Sequence, residues 1–276
     1  MIKVYNQKHN NSHQNIHFLH GNSFTPNSYQ KLLDKISKES VVKTSLLRPL
    51  WNKNNFIQFS NWDIFLKDYL DAIKDENNII GLGHSIGGNL LLKAAILKPD
   101  KFDKIILLDP TFFPPFTIWA WKIISLLKMQ PYFLSYIKYA ENKKMQYNSI
   151  EEIFTSYRKH KVFFNFSDED LLLLVKSLIV VKNDKVNLIF DNKWDAQIYA
   201  TGLVNDMFIW RNIKSLKTKT LIIRAEYSDV FYKKTSKLVL KNNAAISIKT
   251  IKGSDHLFPI NNYVNTFKLI KNFLND

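Results

Sequence analysis

A serine flanked by glycines is the feature of this sequence that most clearly suggests chemistry. Residues 83–87 read GHSIG, with Ser85 at the centre. The motif follows an apolar run and precedes a helical pattern at residues 89–98, the strand–turn–helix setting that lifts a nucleophilic serine above a sheet edge. The small residues on either side leave room for this strained turn. We predict that Ser85 is a nucleophile near a helix N-terminus, where a developing anion is stabilised.

A serine hydroxyl needs a general base within hydrogen-bonding distance. His256 lies just after an apolar run at residues 247–251 and before the last helical pattern of the chain. Because parallel strands present their carboxyl ends at one edge of a sheet, His256 is expected beside Ser85. His84 should instead be a packing residue that points away from the substrate, and His160 is expected to be exposed.

The base in turn needs a carboxylate that holds its tautomer. Asp229 comes soon after the apolar run at residues 220–224 and is the favoured acid, because it should reach the same sheet edge. Glu226, three residues earlier, is the alternative acid. Asp109 is the other alternative: it also follows a strand-like run, although its position before Pro110 favours a turn-forming role.

The turn His20-Gly21-Asn22 is predicted to help stabilise a negatively charged oxygen. Such a site needs two donors aimed at one point, and the backbone amides of Asn22 and Ile86 are the candidates. His20 is then expected to brace the loop, and Ser23 is a further candidate donor.

Six short apolar runs alternate with stretches of helical spacing. Nearly continuous apolar runs are typical of strands that are buried on both faces of a parallel sheet. The predicted strands lie at residues 16–20, 41–47, 79–83, 104–108, 220–224 and 247–251. The predicted helices lie at residues 29–40, 62–74, 89–98 and 263–274. This alternation predicts the α/β class, with βαβ units in a doubly wound, mostly parallel sheet.

The alternation stops at residues 112–215, which show no convincing buried strand. The helical patterns there lie near residues 118–129, 131–145, 150–160, 168–182 and 193–207. We predict a helical cap or lid at 112–215, inserted into a core formed by residues 1–111 and 216–276.

Aromatic residues are dense at the start of this predicted cap. Phe112, Phe113 and Trp119 are candidates to line an acyl pocket, with the apolar face of a lid helix as the alternative. The apolar stretch at residues 116–127 is too short to cross a bilayer. Further along, Trp194, Asp195 and Tyr199 are expected to be structural.

Taken in chain order, these motifs resemble the α/β-hydrolase superfamily, in the branch with a His-Gly oxyanion turn and a helical cap. The matching pieces lie at residues 20–22, 83–87, 109–110, 225–229 and 253–256. The resemblance implies the α/β-hydrolase fold. It also implies a catalytic triad of Ser85, Asp229 and His256, in the chain order usual for that fold.

Composition excludes several classes of protein. The chain has 276 residues, of which 46% are hydrophobic, enough for one large domain and too apolar for a disordered chain. The absence of cysteine excludes disulfides, thiolate metal sites and a cysteine nucleophile. His9, His13 and His17 are spaced by four, but a polar loop followed by a strand is favoured over a metal site. The first residues lack the apolar run of a signal peptide, so a cytoplasmic location is expected.

The formal net charge of +15 comes mostly from lysines spread along the chain. Because there is no block of Lys and Arg, we expect a solvated basic surface and no nucleic-acid partner. A membrane surface, contacted by lysines and cap aromatics, is the less favoured alternative. The expected partner is a small hydrophobic ester or acyl substrate.

The sequence therefore predicts a serine hydrolase that cleaves a hydrophobic carboxylic ester through an acyl-enzyme, without cofactor or metal. Alternatives on the same fold are an acyltransferase and a carbon–carbon bond hydrolase. In the latter, Arg48, Arg158 and Arg211 are the candidate groups for substrate carboxylates. A different class is a non-catalytic protein that binds a small ligand under the cap.

Overall fold

The computed structural model of the protein describes residues 2–5, 14–51, 56–202 and 207–276. The strands in these ranges are β1 (Ile2–Tyr5), β2 (Asn15–Leu19), β3 (Val41–Ser45), β4 (Ile79–His84), β5 (Phe102–Leu108), β6 (Gln146–Tyr147), β7 (Ile179–Lys182), β8 (Lys185–Leu188), β9 (Lys219–Ala225) and β10 (Ile246–Ile251). All six predicted strands are present, as β2, β3, β4, β5, β9 and β10.

Helices precede, separate and follow these strands. They are α1 (Gln30–Ile36), α2 (Asp63–Ala72), α3 (Ile86–Leu97), α4 (Pro115–Leu126), α5 (Gln130–Phe133), α6 (Ser135–Asn142), α7 (Ile150–Arg158), α8 (Asp168–Ser177), α9 (Asn192–Thr201), α10 (Met207–Asn212), α11 (Lys233–Asn242), α12 (Phe258–Asn261) and α13 (Tyr263–Asn275). The four predicted helices outside the cap correspond to α1, α2, α3 and α13.

Seven strands form the main sheet, in the order β1-β3-β2-β4-β5-β9-β10. Every neighbouring pair is parallel except β1 and β3, which run antiparallel. The α/β class and the mostly parallel sheet are therefore confirmed. The edge strand β1 is not predicted by the sequence analysis, because it is short and none of its residues is buried.

Both faces of this sheet are covered, which explains the continuous apolar runs. In β5, Ile106 and Leu108 belong to the core on one face, whereas Ile105 and Leu107 belong to the core on the other. Successive side chains of a strand point to opposite faces, so a strand covered on both sides must be apolar throughout. The core with Ile106 includes side chains of α1 and α13, and the core with Ile105 includes those of α2, α3 and α11.

Residues 112–215, called the inserted segment below, leave the sheet after β5 and return to it at β9. Because β5 and β9 are neighbours in the sheet, this segment is an excursion between adjacent strands. It holds α4 to α10, close to the predicted helical patterns. The division into a core and a cap domain stays a prediction.

One part of the inserted segment contains strands, although the sequence showed no convincing buried strand there. The pattern at residues 168–182 divides into α8 and β7, and β6, β8 and β7 form a small antiparallel sheet. Asn183 and Asp184 both have positive φ, 52° and 54°, which is the backbone of a tight hairpin turn. The hairpin strands were missed because they are half-exposed and carry lysine, so they form no apolar run.

Polar side chains mark where three helices of the inserted segment begin. Ser149 accepts a hydrogen bond from the amide of Glu152, and Ser167 accepts one from the amide of Asp170. Asp191 does the same for Lys193 at the start of α9. These side chains satisfy amides that have no acceptor within their own helix.

Within the described ranges, every helix falls short of the length and apolar character needed to cross a bilayer. The apolar stretch predicted at residues 116–127 lies mostly in α4, which has 12 residues.

Replacing His17 by leucine should weaken the pH dependence of folding. Burial lowers the pKa of His17 to about 4, against the opposing charge of Glu76. An unfolded histidine takes up its proton near pH 6.5. Between those values the unfolded chain binds more protons, so acid destabilises the fold by about 1.4 kcal/mol per pH unit through this residue. Urea titrations of both proteins from neutral pH to pH 4 measure this slope. Equal slopes for wild type and His17→Leu would contradict the prediction.

Candidate active site

Ser85 occupies a strained turn between β4 and α3. Its φ of 56° and ψ of −120° are rarely adopted by a residue with a side chain. A Cβ on Gly83 would lie 2.5 Å from the carbonyl oxygen of Gly87, and a Cβ on Gly87 would lie 2.3 Å from that of Leu19. The two glycines are therefore required by close backbone approach, as the motif suggested.

The imidazole of His256 lies against this serine. His256 follows β10, and its Nε2 is 3.0 Å from Ser85 Oγ. Its Nδ1 is 2.8 Å from Oδ2 of Asp109. The structure thus brings together the predicted nucleophile and base in one hydrogen-bonded line that ends at a carboxylate.

The carboxylate in that line belongs to Asp109, which directly follows β5. Its side chain is fully buried, and its other oxygen, Oδ1, accepts a hydrogen bond from the amide of Ala225 at 3.0 Å. Its φ is 40°, a left-handed conformation that aspartate tolerates better than most residues. The turn expected at Asp109 is present, and it directs the side chain to His256.

The favoured acid, Asp229, is not bonded to the imidazole. It is exposed, and its Oδ2 accepts a hydrogen bond from the hydroxyl of Tyr136 at 3.1 Å. Glu226 instead accepts the amide of Gly253 at 2.8 Å. The reason is strand order: β5 lies directly beside β4, so the residue after β5 adjoins Ser85, whereas Asp229 is four residues past the end of β9.

Opposing effects act on the pKa of His256. Burial alone would lower it, but the hydrogen bond and the negative charge of Asp109 raise it above its ordinary value. Asp229 and Asp255 add smaller effects in the same direction. The site therefore stabilises the imidazolium, the form that a general base takes after it has accepted a proton.

His84 lies beneath His256, and its role is larger than packing. The two rings lie 4.6 Å apart, and His84 Nε2 is 2.9 Å from the carbonyl oxygen of His256. Its Nδ1 is 2.7 Å from the hydroxyl of Tyr29. Burial holds the pKa of His84 well below its ordinary value, with a contribution from the charge of His256. A neutral imidazole therefore anchors the backbone of His256.

The loop after β2 carries the turn at His20. The Nδ1 of His20 is 2.8 Å from the carbonyl oxygen of Gly21, and its Nε2 accepts the amide of Leu47 at 3.1 Å. Burial lowers the pKa of His20 to about 4, so the ring is neutral. The expectation that His20 braces this loop is confirmed.

The two predicted oxyanion donors come from adjoining parts of the chain. Ile86 is the first residue of α3, so its amide has no acceptor within the helix. Asn22 follows Gly21, whose own amide donates to the Tyr29 hydroxyl at 3.0 Å. The contact between the start of α3 and the end of β2 brings the two loops together. Their action on an oxyanion stays a prediction.

Thr111 is a neighbour of Ser85 that the sequence analysis did not single out. Its Oγ1 is 3.2 Å from Ser85 Oγ, and its amide donates to the carbonyl of Ser85 at 3.1 Å. Asn89 in α3 donates a hydrogen bond to the carbonyl of Thr111 at 2.8 Å. The sequence could have pointed to Thr111 only through its position, two residues after Asp109, which directly follows β5.

A buried ion pair within the inserted segment also accepts a hydrogen bond from the loop after β2. Asp195 in α9 is 1% exposed; its Oδ1 accepts a hydrogen bond from Ser23 at 2.7 Å and its Oδ2 lies 2.5 Å from Nζ of Lys143. Burial raises the pKa of Asp195, and Lys143 and Ser23 oppose that rise. Ser23, predicted as an oxyanion donor, thus directs its hydroxyl to Asp195.

The three aromatic candidates for a substrate pocket lie in different surroundings. Phe112 is fully buried and stacks on Trp210 at 4.6 Å. Phe113 belongs to a smaller buried cluster with Ile118, whereas Trp119 is 61% exposed.

Two of the arginines considered for binding substrate carboxylates are paired with acids, and no metal site is found among the described residues. Arg48 is paired with Asp68 at 2.6 Å, and Arg158 is paired with Asp168. In the part of the chain that the structure describes, no group of three or more histidines and acids could hold a metal ion. His9 and His13 lie outside the described residues.

Replacing Gly87 by alanine should cost more than about 2 kcal/mol of folding free energy, because a Cβ would collide with the backbone of β2. Gly253→Ala is the matched control. Gly253 has a φ of 66° with open space around it, so its replacement by alanine should lower the folding free energy by only about 1 kcal/mol. Urea denaturation of the three proteins provides the comparison, and equal losses in both variants would contradict this account.

The whole architecture is similar to that of several solved structures. A peroxisomal alpha-beta-hydrolase from Saccharomyces cerevisiae matches with a TM-score of 0.75 at 16% identity, over 95% of this chain and 76% of that chain. MenH from S. aureus matches with a TM-score of 0.72 at 19% identity, over 99% and 97% of the two chains. A carboxylesterase structure from Nitrososphaera gargenis matches with a TM-score of 0.70 at 14% identity, over 99% and 94%.

In sequence, no protein-family model and no curated protein matches the chain. The structural likeness nevertheless covers 95% and 99% of this chain in two of these structures. This likeness confirms the resemblance drawn from the motifs: the chain has the α/β-hydrolase fold.

Proposed function

We propose that this protein is a serine hydrolase that cleaves a hydrophobic carboxylic ester through an acyl-enzyme. The observation that carries the proposal is the line from Ser85 Oγ through His256 to Asp109, with distances of 3.0 and 2.8 Å. A nucleophile, a base and an orienting acid in this arrangement are what acyl transfer needs.

In the first step, His256 Nε2 accepts the proton of the Ser85 hydroxyl while Oγ attacks the carbonyl carbon of the ester. The imidazolium that forms is stabilised by the buried carboxylate of Asp109. The C–O bond to the alcohol then breaks, and His256 returns its proton to the leaving oxygen. The product of this half-reaction is an ester between Ser85 and the acyl group.

In the second step, water attacks the acyl-enzyme while His256 again takes a proton. Breakdown of the second tetrahedral intermediate releases the carboxylic acid and restores the serine hydroxyl. In both steps the carbonyl oxygen becomes negative, and the amides of Asn22 and Ile86 are the donors we assign to it. The dipole of α3, whose N-terminus begins at Ile86, favours the same charge.

The apolar character of the inserted segment supports a hydrophobic acyl or alcohol group. Thr111, which contacts Ser85, is followed by the buried rings of Phe112 and Phe113 and then by the exposed rings of Phe116 and Trp119. The esterase named among the similar structures is consistent with this choice.

The alternatives have less support. A carbon–carbon hydrolase with an acidic substrate would place cations in its pocket, yet Arg48 and Arg158 are paired with carboxylates of this chain, and the third candidate, Arg211, is exposed. A non-catalytic binding protein would have no use for a buried aspartate and a serine aligned on one imidazole. An acyltransferase would share the first step and differ only in the acceptor.

Replacing Ser85 by alanine should lower kcat/KM for p-nitrophenyl esters by about 10⁴-fold or more, because no acyl-enzyme can form. A series of esters of increasing acyl length measures both the activity and the preferred chain length. Labelling of the wild type, but not of Ser85→Ala, by a fluorophosphonate is the independent readout. A wild type that neither hydrolyses esters nor becomes labelled would refute the proposal.

The identity of the acid is tested by a matched pair of variants. Asp109→Asn should lower kcat by roughly 10³- to 10⁴-fold, because the amide no longer holds the required tautomer of His256. Asp229→Asn, the same change on the acid favoured by the sequence, should keep kcat within about tenfold. The opposite ranking would assign the role to Asp229.

Replacing Asp109 by asparagine should shift the low-pH side of the kcat/KM profile. Asp109 raises the pKa of His256, and only neutral His256 can act as base, so activity falls as pH drops through that pKa. Removing the charge in Asp109→Asn should shift the acid limb of the residual kcat/KM to lower pH. A limb that stays in place would show that another group controls it.

A further inference from the structure

The outer surface of α4 is apolar. At 100° per residue, five large side chains of this helix and its C-terminal cap fall within about 100° of arc. They are Phe116, Trp119, Ile123, Leu126 and Leu127, and the first and fourth are 75% and 83% exposed. Isolated exposed apolar residues are ordinary on protein surfaces, but a continuous row marks an interaction surface.

The exposed apolar surface continues through α5 into α6. Met129, Tyr132, Phe133 and Tyr136 are also exposed, and each of the three helices contacts the next. The name apolar face is used below for Phe116, Trp119, Ile123, Leu126, Leu127, Met129, Tyr132, Phe133 and Tyr136.

The buried side of α4 sets the orientation of the helix, with the apolar face toward solvent. Ile118 and Trp121 are buried in the cluster that contains Phe113. The indole of Trp121 also donates a hydrogen bond to the carbonyl of Ala200 at 3.3 Å. Rotation of α4 to hide its outer residues would expose these two, so the helix has apolar residues on both sides and only one side is covered.

Within the chain segment that carries the apolar face, the charged side chains have a single sign. From Pro110 to Ala140 the sequence contains no aspartate or glutamate, but it contains Lys122, Lys128 and Lys138. All three lysines are exposed. Lys138 Nζ lies 4.7 Å from the ring centre of Tyr132, so one cation is held against an aromatic ring of the face.

This combination fits a lipid surface better than a protein copy. A second copy of the same face would bring the lysines of the two copies together, and the acid that contacts the face, Asp229, already accepts a hydrogen bond from Tyr136. Tryptophan, tyrosine and phenylalanine with a basic rim are the composition that lies at the boundary of an anionic bilayer. We propose that the apolar face docks the protein on a membrane that contains anionic lipid.

The apolar face also reaches the loops of the candidate active site. Tyr136, one of its residues, donates a hydrogen bond to Asp229, whose charge acts on His256. A docked molecule would therefore hold this side of the site close to the lipid surface. Docking itself needs no catalysis, so it can be measured apart from the proposed hydrolase activity.

The test is co-sedimentation with vesicles, in a Ser85→Ala background so that no lipid is consumed. Binding is expected to vesicles of phosphatidylcholine with phosphatidylglycerol, to weaken on pure phosphatidylcholine, and to fall as salt is raised. Trp119→Ser with Leu126→Ser should weaken partitioning by at least about tenfold, because two large apolar side chains are lost. Lys122→Glu with Lys128→Glu should abolish the preference for the anionic vesicles.

The matched control is Val181→Ser with Leu240→Ser. These residues are 64% and 42% exposed but lie on β7 and α11, away from the apolar face, and their replacement should leave binding unchanged. Equal binding by the Trp119/Leu126 variant would overturn the proposal, as would absence of binding to both kinds of vesicle. Sedimentation velocity supplies the last check: self-association that the same two substitutions abolish would assign the face to a second copy of the chain.

Discussion

The buried carboxylate of Asp109 is the constraint on which the rest of the site depends. A charge with no exposed surface is costly unless both oxygens are bonded. Here one oxygen accepts the amide of Ala225 and the other accepts His256, while the amide of Asp109 itself donates to Ile223 at 2.7 Å. One residue thus ties the ends of β5 and β9 to the loop after β10. The positions of base and acid follow from the order of the strands, and Ser85 lies beside them because β4 is the neighbour of β5.

Much of this could be predicted, because burial leaves a local record in the sequence. A strand covered on both faces is apolar at every position, so β2, β4 and β5 are evident as runs of residues. A serine turn leaves its own record, since backbone approach at Gly83 and Gly87 excludes any side chain. The carboxylate that contacts His256 left no such record. Asp109, Glu226 and Asp229 all follow strands, and the choice among them depends on which strand lies next to β4, which is a property of the sheet and of no single segment.

The features that the sequence did not predict are long-range contacts and half-exposed strands. The hydrogen bond from Tyr29 to His84 joins residues 55 positions apart, and the sequence around each gives no sign of the other. Strands β7 and β8 mix valine with lysine and asparagine, so they show neither an apolar run nor the spacing of a helix. Arg48 looked free to meet a substrate carboxylate until α2 supplied Asp68 as its partner.

Asp195 is one of several residues that connect the inserted segment to the rest of the chain; others are Ser177, which bonds Thr25 and Ser28, and Ile198, which accepts the indole of Trp62. Its buried carboxylate holds Ser23, next to Asn22 in the loop after β2, and Lys143 in the inserted segment. Moving α9 away from the loop after β2 would break the hydrogen bond between Ser23 and Asp195 or move the loop with it. The positions of α9 and of this loop are therefore thermodynamically coupled, and a change that favours one position of α9 favours the matching position of the loop by the coupling free energy between them.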